Sequence, residues 1–456
     1  MSEKLVRKKS VFFAGILCAL TFIMMSMGGC GTKGYDDPAA SAITTKTQTA
    51  LIDSATLKQW MDVGLVNKQG GTDRVVILDV SNNASDGSNA YNTVGHIPGA
   101  QLISAGSAAF MDNTRAEGPL SLTGAMVCTG ETMDSLIQNS GIDAYTTIVL
   151  TTNTTSTINV SRAYTTFRYW GFAKNRIKVL NGGNAGWIAA GYNLTTTVPT
   201  IQKSTYGVAQ NGTTNINTDM RVSLGEMIAY VNGIVAGNAG KVTILDTIRP
   251  NTISGPTSDL IDTTSFTPFD GAMKGSYRFP YVNLVSPAGT LNFKDEATLK
   301  ADISAAVGGD GITTIGDANR DATKTFIVFC RAGNAASVAY FALDGIAYYN
   351  SNVDIKWYDG SLGQFNLMAS SDHTAVNGAN AGGKLAVGSI WDTTSLMDNL
   401  TWNVDRGKTI VNYGSRVFGV EPSFAEGNQI ETTDRAYRST VTGPGGDPGG
   451  GGGGGC

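Results

Sequence analysis

The chain has 456 residues and a net charge of -4. That length asks for two or three domains rather than one core, and the charge, with no basic block after the N-terminal segment, argues against a nucleic-acid surface. Charged residues make up only 15%, so threonine, asparagine, serine and glycine carry much of the polarity.

The chain opens with Lys4, Arg7, Lys8 and Lys9, then the apolar run Val11 to Met27, then Gly28-Gly29-Cys30. Charged, then apolar, then small is the order of a secretory signal. Met27 to Cys30 resembles the lipobox of bacterial lipoproteins, which implies cleavage before Cys30 and lipid on its sulfur. A plain signal peptide or a single membrane anchor is the alternative, although the run falls short of the about 20 residues of a comfortable span. Several acyl chains on Cys30 would anchor durably where one would not. Gly31, in place of aspartate, points by the same resemblance to the outer membrane of a Gram-negative bacterium. Of five cysteines, Cys18 leaves with the signal and Cys30 takes lipid. Cys128, Cys330 and Cys456 remain, too few for a disulfide framework.

The same grammar then appears twice. An apolar stretch at helical spacing (Thr49 to Gly64) precedes the strand-like run Arg74 to Val80, and Met220 to Ile234 precedes Lys241 to Thr247. A second buried run comes later in each copy, Thr147 to Thr152 and Thr325 to Cys330, each leading into a helix-like stretch. Each copy closes with a short strand entering a glycine turn, Ile177 to Trp187 and Ile355 to Phe365. Strands alternating with helices predict an α/β protein with parallel sheets.

GHIPGA (Gly95 to Ala100), VLNGGNAGWIAAGY (Val179 to Tyr192) and CRAGNAAS (Cys330 to Ser337), in that order, resemble a tandem rhodanese, or sulfurtransferase, over roughly residues 48–370. The resemblance implies two rhodanese-like domains, each a parallel sheet flanked by helices, with the cysteine in the second. The expected layout is a signal at 1–29, a linker at 30–47, a domain without a catalytic cysteine at 48–198, a linker at 199–218, and the Cys330 domain at 219–383. An extension at 384–442 and a flexible Gly-rich tail at 443–456 complete it. Thr151 and Thr152 stand where the first copy would carry its cysteine. His96, within GHIPGA, is read as a structural turn residue, and Gly271 to Ser276 lacks a counterpart.

Cys330 is either a nucleophile or a small packed side chain. The residues after it favour the nucleophile. Arg331, Ala332, Gly333, Asn334, Ala335, Ala336 and Ser337 form a tight loop into a helix, small enough to curl so that backbone N–H groups face an anion. Such a nest, with Arg331 beside it, favours thiolate. The expected cycle is nucleophilic: Cys330 takes sulfur from a small anionic donor and passes it to a thiol acceptor or redox protein. Thiosulfate-specific members of the family have Arg-Lys after the cysteine; Arg331-Ala332 keeps one of those charges, leaving thiosulfate and mercaptopyruvate both open. Asp246 and Arg249 are candidates for a polar wall of the site, with Arg249 one residue off the usual Asp-x-Arg spacing.

Cys456 ends a Gly-rich arm with a reach of roughly 20 Å, so it is a candidate resolving thiol, a cross-link, or a plain tail. Cys128 is read as packed. With two histidines and no CxxCH motif, no metal, haem or other cofactor is expected. The competing reading is a scaffold that binds a redox complex. Double-rhodanese lipoproteins of this design are similar to those associated with selenite and tellurite reduction, which implies selenium as an alternative load.

Overall fold

The computed structural model describes residues 42–81, 90–210, 217–237, 242–248, 257, 269–307, 325–351, 353–369, 385, 388–402 and 422–440. The first repeat builds a five-stranded sheet from Leu51–Ile52 (β1), Arg74–Val80 (β2), Gln101–Ile103 (β3), Thr146–Thr151 (β8) and Ile177–Leu180 (β9), between which lie four short strands that pair outside it. These are Met111–Asp112 (β4), Arg115–Glu117 (β5), Leu120–Thr123 (β6) and Met126–Val127 (β7), with β4 on β7 and β5 on β6, both antiparallel. The main sheet runs β1-β9-β8-β2-β3, with every neighbour parallel.

The second repeat repeats the plan with Val242–Asp246 (β10), Ser276–Arg278 (β12), Thr325–Phe329 (β13) and Asp354–Trp357 (β14), in the parallel order β12-β10-β13-β14. Phe269–Met273 (β11) pairs instead with Met397–Trp402 (β15), antiparallel. Val75 to Val80 are all buried, as a strand covered by helices on both faces requires.

Helices arise from local signals. Ser54–Asp62 (α1) starts where the Asp53 carboxylate accepts from Thr56 N at 2.7 Å, an N-cap, and turns Leu57 and Trp60 inward. Gly130–Asn139 (α2) is capped by Thr129. Thr157–Tyr169 (α3) is buried at all but one of its positions, because it lies between the two repeats and packs on Asn334–Tyr340 (α7). Gly183–Ala189 (α4) comes after β9, Leu224–Val235 (α5) opens on the Ser223–Glu226 capping box, and Glu296–Val307 (α6) precedes β13. From α7 the chain continues through a π-helical turn, Phe341–Ala347, then β14, Ser361–Leu367 (α8) and, near the end, Gln429–Thr440 (α9).

Two expectations shift in detail. The helical stretch at Thr49 to Gly64 is a strand and a helix, because Leu51 and Ile52 join the sheet edge against Val179 and Leu180. The second buried strand stops at Phe329, which puts Cys330 on the turn rather than in the ladder. The largest apolar core contains residues of both repeats, from Ala50 and Val76 to Phe341, Trp357 and Ile430. Across it, Tyr164 lies edge-on to Phe341 at 4.8 Å, and Tyr164 Oη and Arg168 Nε both donate to Asp344 at 2.8 and 3.0 Å. Asp344 is held below the usual carboxylate range; burial opposes this, but Arg168 and Lys174 prevail.

Candidate functional site

Cys330 sits where β13 ends, 3% exposed, with β10 and β14 on either side of that strand. The chain turns at Gly333, whose φ of 75° is left-handed. A side chain there would meet the Asp359 carbonyl at 2.5 Å, so the loop and the turn after β14 touch backbone to backbone.

That second turn supplies the group that organises the sulfur. The Ser361 hydroxyl accepts from the Cys330 amide at 3.0 Å and from the Gly333 amide at 3.0 Å. It also lies 3.8 Å from Cys330 Sγ, and 2.8 Å from the Tyr358 carbonyl. Leu362 N and Gly363 N hold the Cys330 and Arg331 carbonyls at 3.0 and 2.8 Å. Ser361 pays for this in backbone strain, with a φ of 51°, a region that non-glycine residues avoid by roughly 1–2 kcal/mol. The first repeat has Gly183 at the matching place, φ 57°: Asn184 N bonds the Thr152 carbonyl at 3.1 Å just as Leu362 N bonds that of Cys330.

Two of the loop's amides, those of Cys330 and Gly333, go to Ser361 and not to an anion, and the Ser361 hydroxyl lies beside the sulfur. Ser337 donates back to the Asn334 carbonyl at 2.6 Å, a bond within the first turn of the helix that occupies its hydroxyl proton. Ala335 and Ala336 are buried packing residues, while Arg331, Ala332 and Asn334 are half-buried. Asn334 Oδ1 is enclosed without a partner. Asp246 is buried beside Phe329 in the ladder, and its Oδ1 accepts from Ile248 N at 3.1 Å. Cys30, Arg249 and Cys456 lie outside the described residues.

Below the turn lies a buried charge cluster that the sequence did not announce. Arg221 is fully buried; its Nη1 donates to Glu117 Oε1 at 2.7 Å and to Glu431 Oε1, and its Nη2 pairs with Asp359 Oδ1 at 2.8 Å. Gln364 Nε2 and Val127 N occupy further oxygens of Glu117 and Asp359 at 2.7 and 3.0 Å. One guanidinium thus binds the first repeat, the turn carrying Ser361, and α9. Burial, with Glu117 nearby, pushes Glu431 up to about 7 against the pull of Arg221. Arg115 and Tyr169 Oη hold Asp434 on the next turn of α9.

Two other sequence candidates are structural. His96 has Nδ1 2.9 Å from the Tyr91 carbonyl and Nε2 3.1 Å from that of Thr197, and stacks on Tyr91 at 3.6 Å. Cys128 is wholly buried, and burial drives its thiol up to about 12, which makes it inert. Among the described residues, no group of three or more His, Cys, Asp or Glu is placed to hold a metal ion.

Residues 62–190 match the family model described as "Rhodanese-like domain". The first repeat is thus similar to a rhodanese-like domain. Curated relatives align over more than one repeat. A Thermus thermophilus protein named "Sulfur carrier protein TtuD" is 26% identical over 279 residues, 59% of this chain and 82% of its own. A Haloferax volcanii "Putative thiosulfate sulfurtransferase" is 23% identical over 288 residues, 63% of this chain and 84% of its own. Among solved structures, the Escherichia coli 3-mercaptopyruvate sulfotransferase SseA has a TM-score of 0.45 at 20% identity, covering 69% of this chain and 99% of its own. The rhodanese-like match falls on the repeat without the cysteine, and the longer alignments exceed its length.

Ser361 is the candidate site residue that sequence reasoning missed. A signal was present: aligning the two closing turns, LNGGN and YDGSL, sets a serine against a glycine.

Proposed function

We propose that the chain is a rhodanese-type sulfurtransferase that carries sulfane sulfur on Cys330. The observation that carries this reading is the Ser361 hydroxyl, held on a left-handed backbone at 3.8 Å from Cys330 Sγ. A strained residue persists where its position is used. Sulfurtransferase names among the relatives support the same reading.

The cycle balances without a cofactor. The Cys330 thiolate attacks the outer sulfur of a donor such as thiosulfate. An S–S bond forms to Cys330 as the donor's S–S bond breaks, and sulfite leaves with the electron pair. An acceptor thiolate then takes the terminal sulfur and Cys330 departs as thiolate. With Cys330 only 3% exposed, a slender donor presenting its terminal atom end-on is favoured. Selenium at the same oxidation level would pass through the same steps. The basic and apolar leader and Cys30 support an envelope site for the reaction, lipid-anchored in the outer membrane.

Intact mass of the full chain after incubation with thiosulfate tests the proposal, alongside Cys330→Ser and Cys456→Ser. One added sulfur that is lost only in Cys330→Ser is the expected result. No gain with thiosulfate, mercaptopyruvate, or selenite plus thiol would overturn it in favour of a binding scaffold.

A further inference from the structure

Arg162 lies on α3, in the repeat without the candidate nucleophile, and its side chain is fully buried. Nη2 donates to the Ala125 carbonyl at 2.9 Å and, at the limit of bonding, to that of Phe110 at 3.5 Å. Nε and Nη1 have no partner. Asp359, the carboxylate that interacts with it most, already gives its oxygens to Arg221 Nη2 and Val127 N. A buried guanidinium left short of partners is unfavourable, and burial lowers it to about 10, still a cation at neutral pH.

Its position links it to the sulfur loop. The guanidinium lies 4.5 Å from the centre of the Trp357 ring, a cation over an aromatic face. The edge of the same indole donates from Nε1 to the Gly333 carbonyl at 3.0 Å. Gly333 is the left-handed corner of the Cys330 loop, and its amide shares the Ser361 hydroxyl with the Cys330 amide. Arg162 also interacts electrostatically with Cys330 itself.

We propose that Arg162 is a positioning residue lent by the first repeat: it holds Trp357 face-on so that the indole fixes Gly333, and with it the loop that carries Cys330. This rests on Cys330 being the sulfur carrier. A purely structural arginine at this place would fix the fold without its effect on loading depending on Trp357.

Single-turnover loading of the full chain from thiosulfate, monitored by intact mass, separates the two roles. Arg162→Met is expected to slow loading about ten-fold, and Trp357→Phe, which removes the Gly333 bond, to slow it by a similar factor. Because both act through one contact, the double variant should be no slower than either single variant. Arg162→Lys, which keeps a cation over the indole, restores most of the rate. Arg162→Gln is read in the same way should the methionine variant fail to fold. A wild-type rate in folded Arg162→Met or Arg162→Gln, or losses that multiply in the double variant, overturns the inference and leaves the sulfurtransferase reading standing. No loading by the wild-type chain from thiosulfate or mercaptopyruvate overturns both.

Discussion

The two repeats bend the chain the same way after their second buried strands, yet fill the bend differently. In the first, Thr152 Oγ1 lies 3.1 Å from Ser81 Oγ, Asn153 N donates to that serine at 3.0 Å, and Thr151 Oγ1 donates to Asn184 at 2.8 Å. Asn184 and Ser81 in turn bond Asp79, a carboxyl raised by burial. Every hydroxyl is consumed by a neighbour, so the bend is a knot of hydrogen bonds. In the second, a small loop surrounds one sulfur, and a single hydroxyl from the opposite turn braces it. A bend that satisfies itself is structural; one that leaves an atom served by a strained neighbour is available for chemistry.

The largest effect expected from breaking this contrast is at the sulfur. Cys330→Ser should lower sulfur uptake by about a thousand-fold or more, as removal of a nucleophile does, and Thr152→Cys in that background should restore none of it by intact mass. Next is the guanidinium that ties the second bend to the rest of the molecule. Arg221→Met leaves Glu117, Asp359 and Glu431 buried without their cation, a loss of about 3–5 kcal/mol measurable by urea denaturation.

Ser361 sharpens the comparison. Ser361→Ala strands two buried amides and removes the hydroxyl near Sγ, at about 1–3 kcal/mol, so loading should fall about ten- to hundred-fold. Ser361→Gly should lose as much activity but be more stable than the alanine variant, because the backbone strain goes with the side chain. Equal stability of the two would remove strain from the account.

The last effect is electrostatic. Glu431 is raised in the folded chain from an ordinary 4.5 to about 7, so the native state holds a proton that the unfolded state releases. The stability this contributes is fully present below about 4.5 and is lost as pH rises through about 7. Glu431→Gln should flatten the stability profile across that window, and an unchanged slope in urea titrations at several pH values would assign it elsewhere.

Much of the fold was legible because it is local. Arg74 to Val80 is a continuous apolar run, and the repeat of strand, helix and glycine turn is visible by eye. Cys330 and its small-residue loop were legible for the same reason. The features that escaped notice are long-range or conformational. Glu431 and Asp434 look like ordinary surface acids, and only their partners more than two hundred positions away, Arg221 and Arg115, make them interior. Arg162 resembles a solvent-facing helix residue until α3 is seen to be covered on nearly all sides. Ser361 carries its meaning in a backbone angle that no spacing reveals.

The core that runs from Ala50 to Ile430 has a consequence for how the molecule comes apart. Tandem repeats commonly behave as separate folding units that hinge or melt independently. Here the amide of Ala50 bonds Gly345 in the other repeat, α3 is enclosed by its counterpart, and α9 returns from the end of the chain to pair with Arg115. The largest core is closed only by both halves together. Calorimetry should trace one cooperative melt, and separate expression of the halves should yield two insoluble pieces. That outcome would make the duplicated sequence one thermodynamic unit, in which the repeat without the candidate nucleophile is not dispensable.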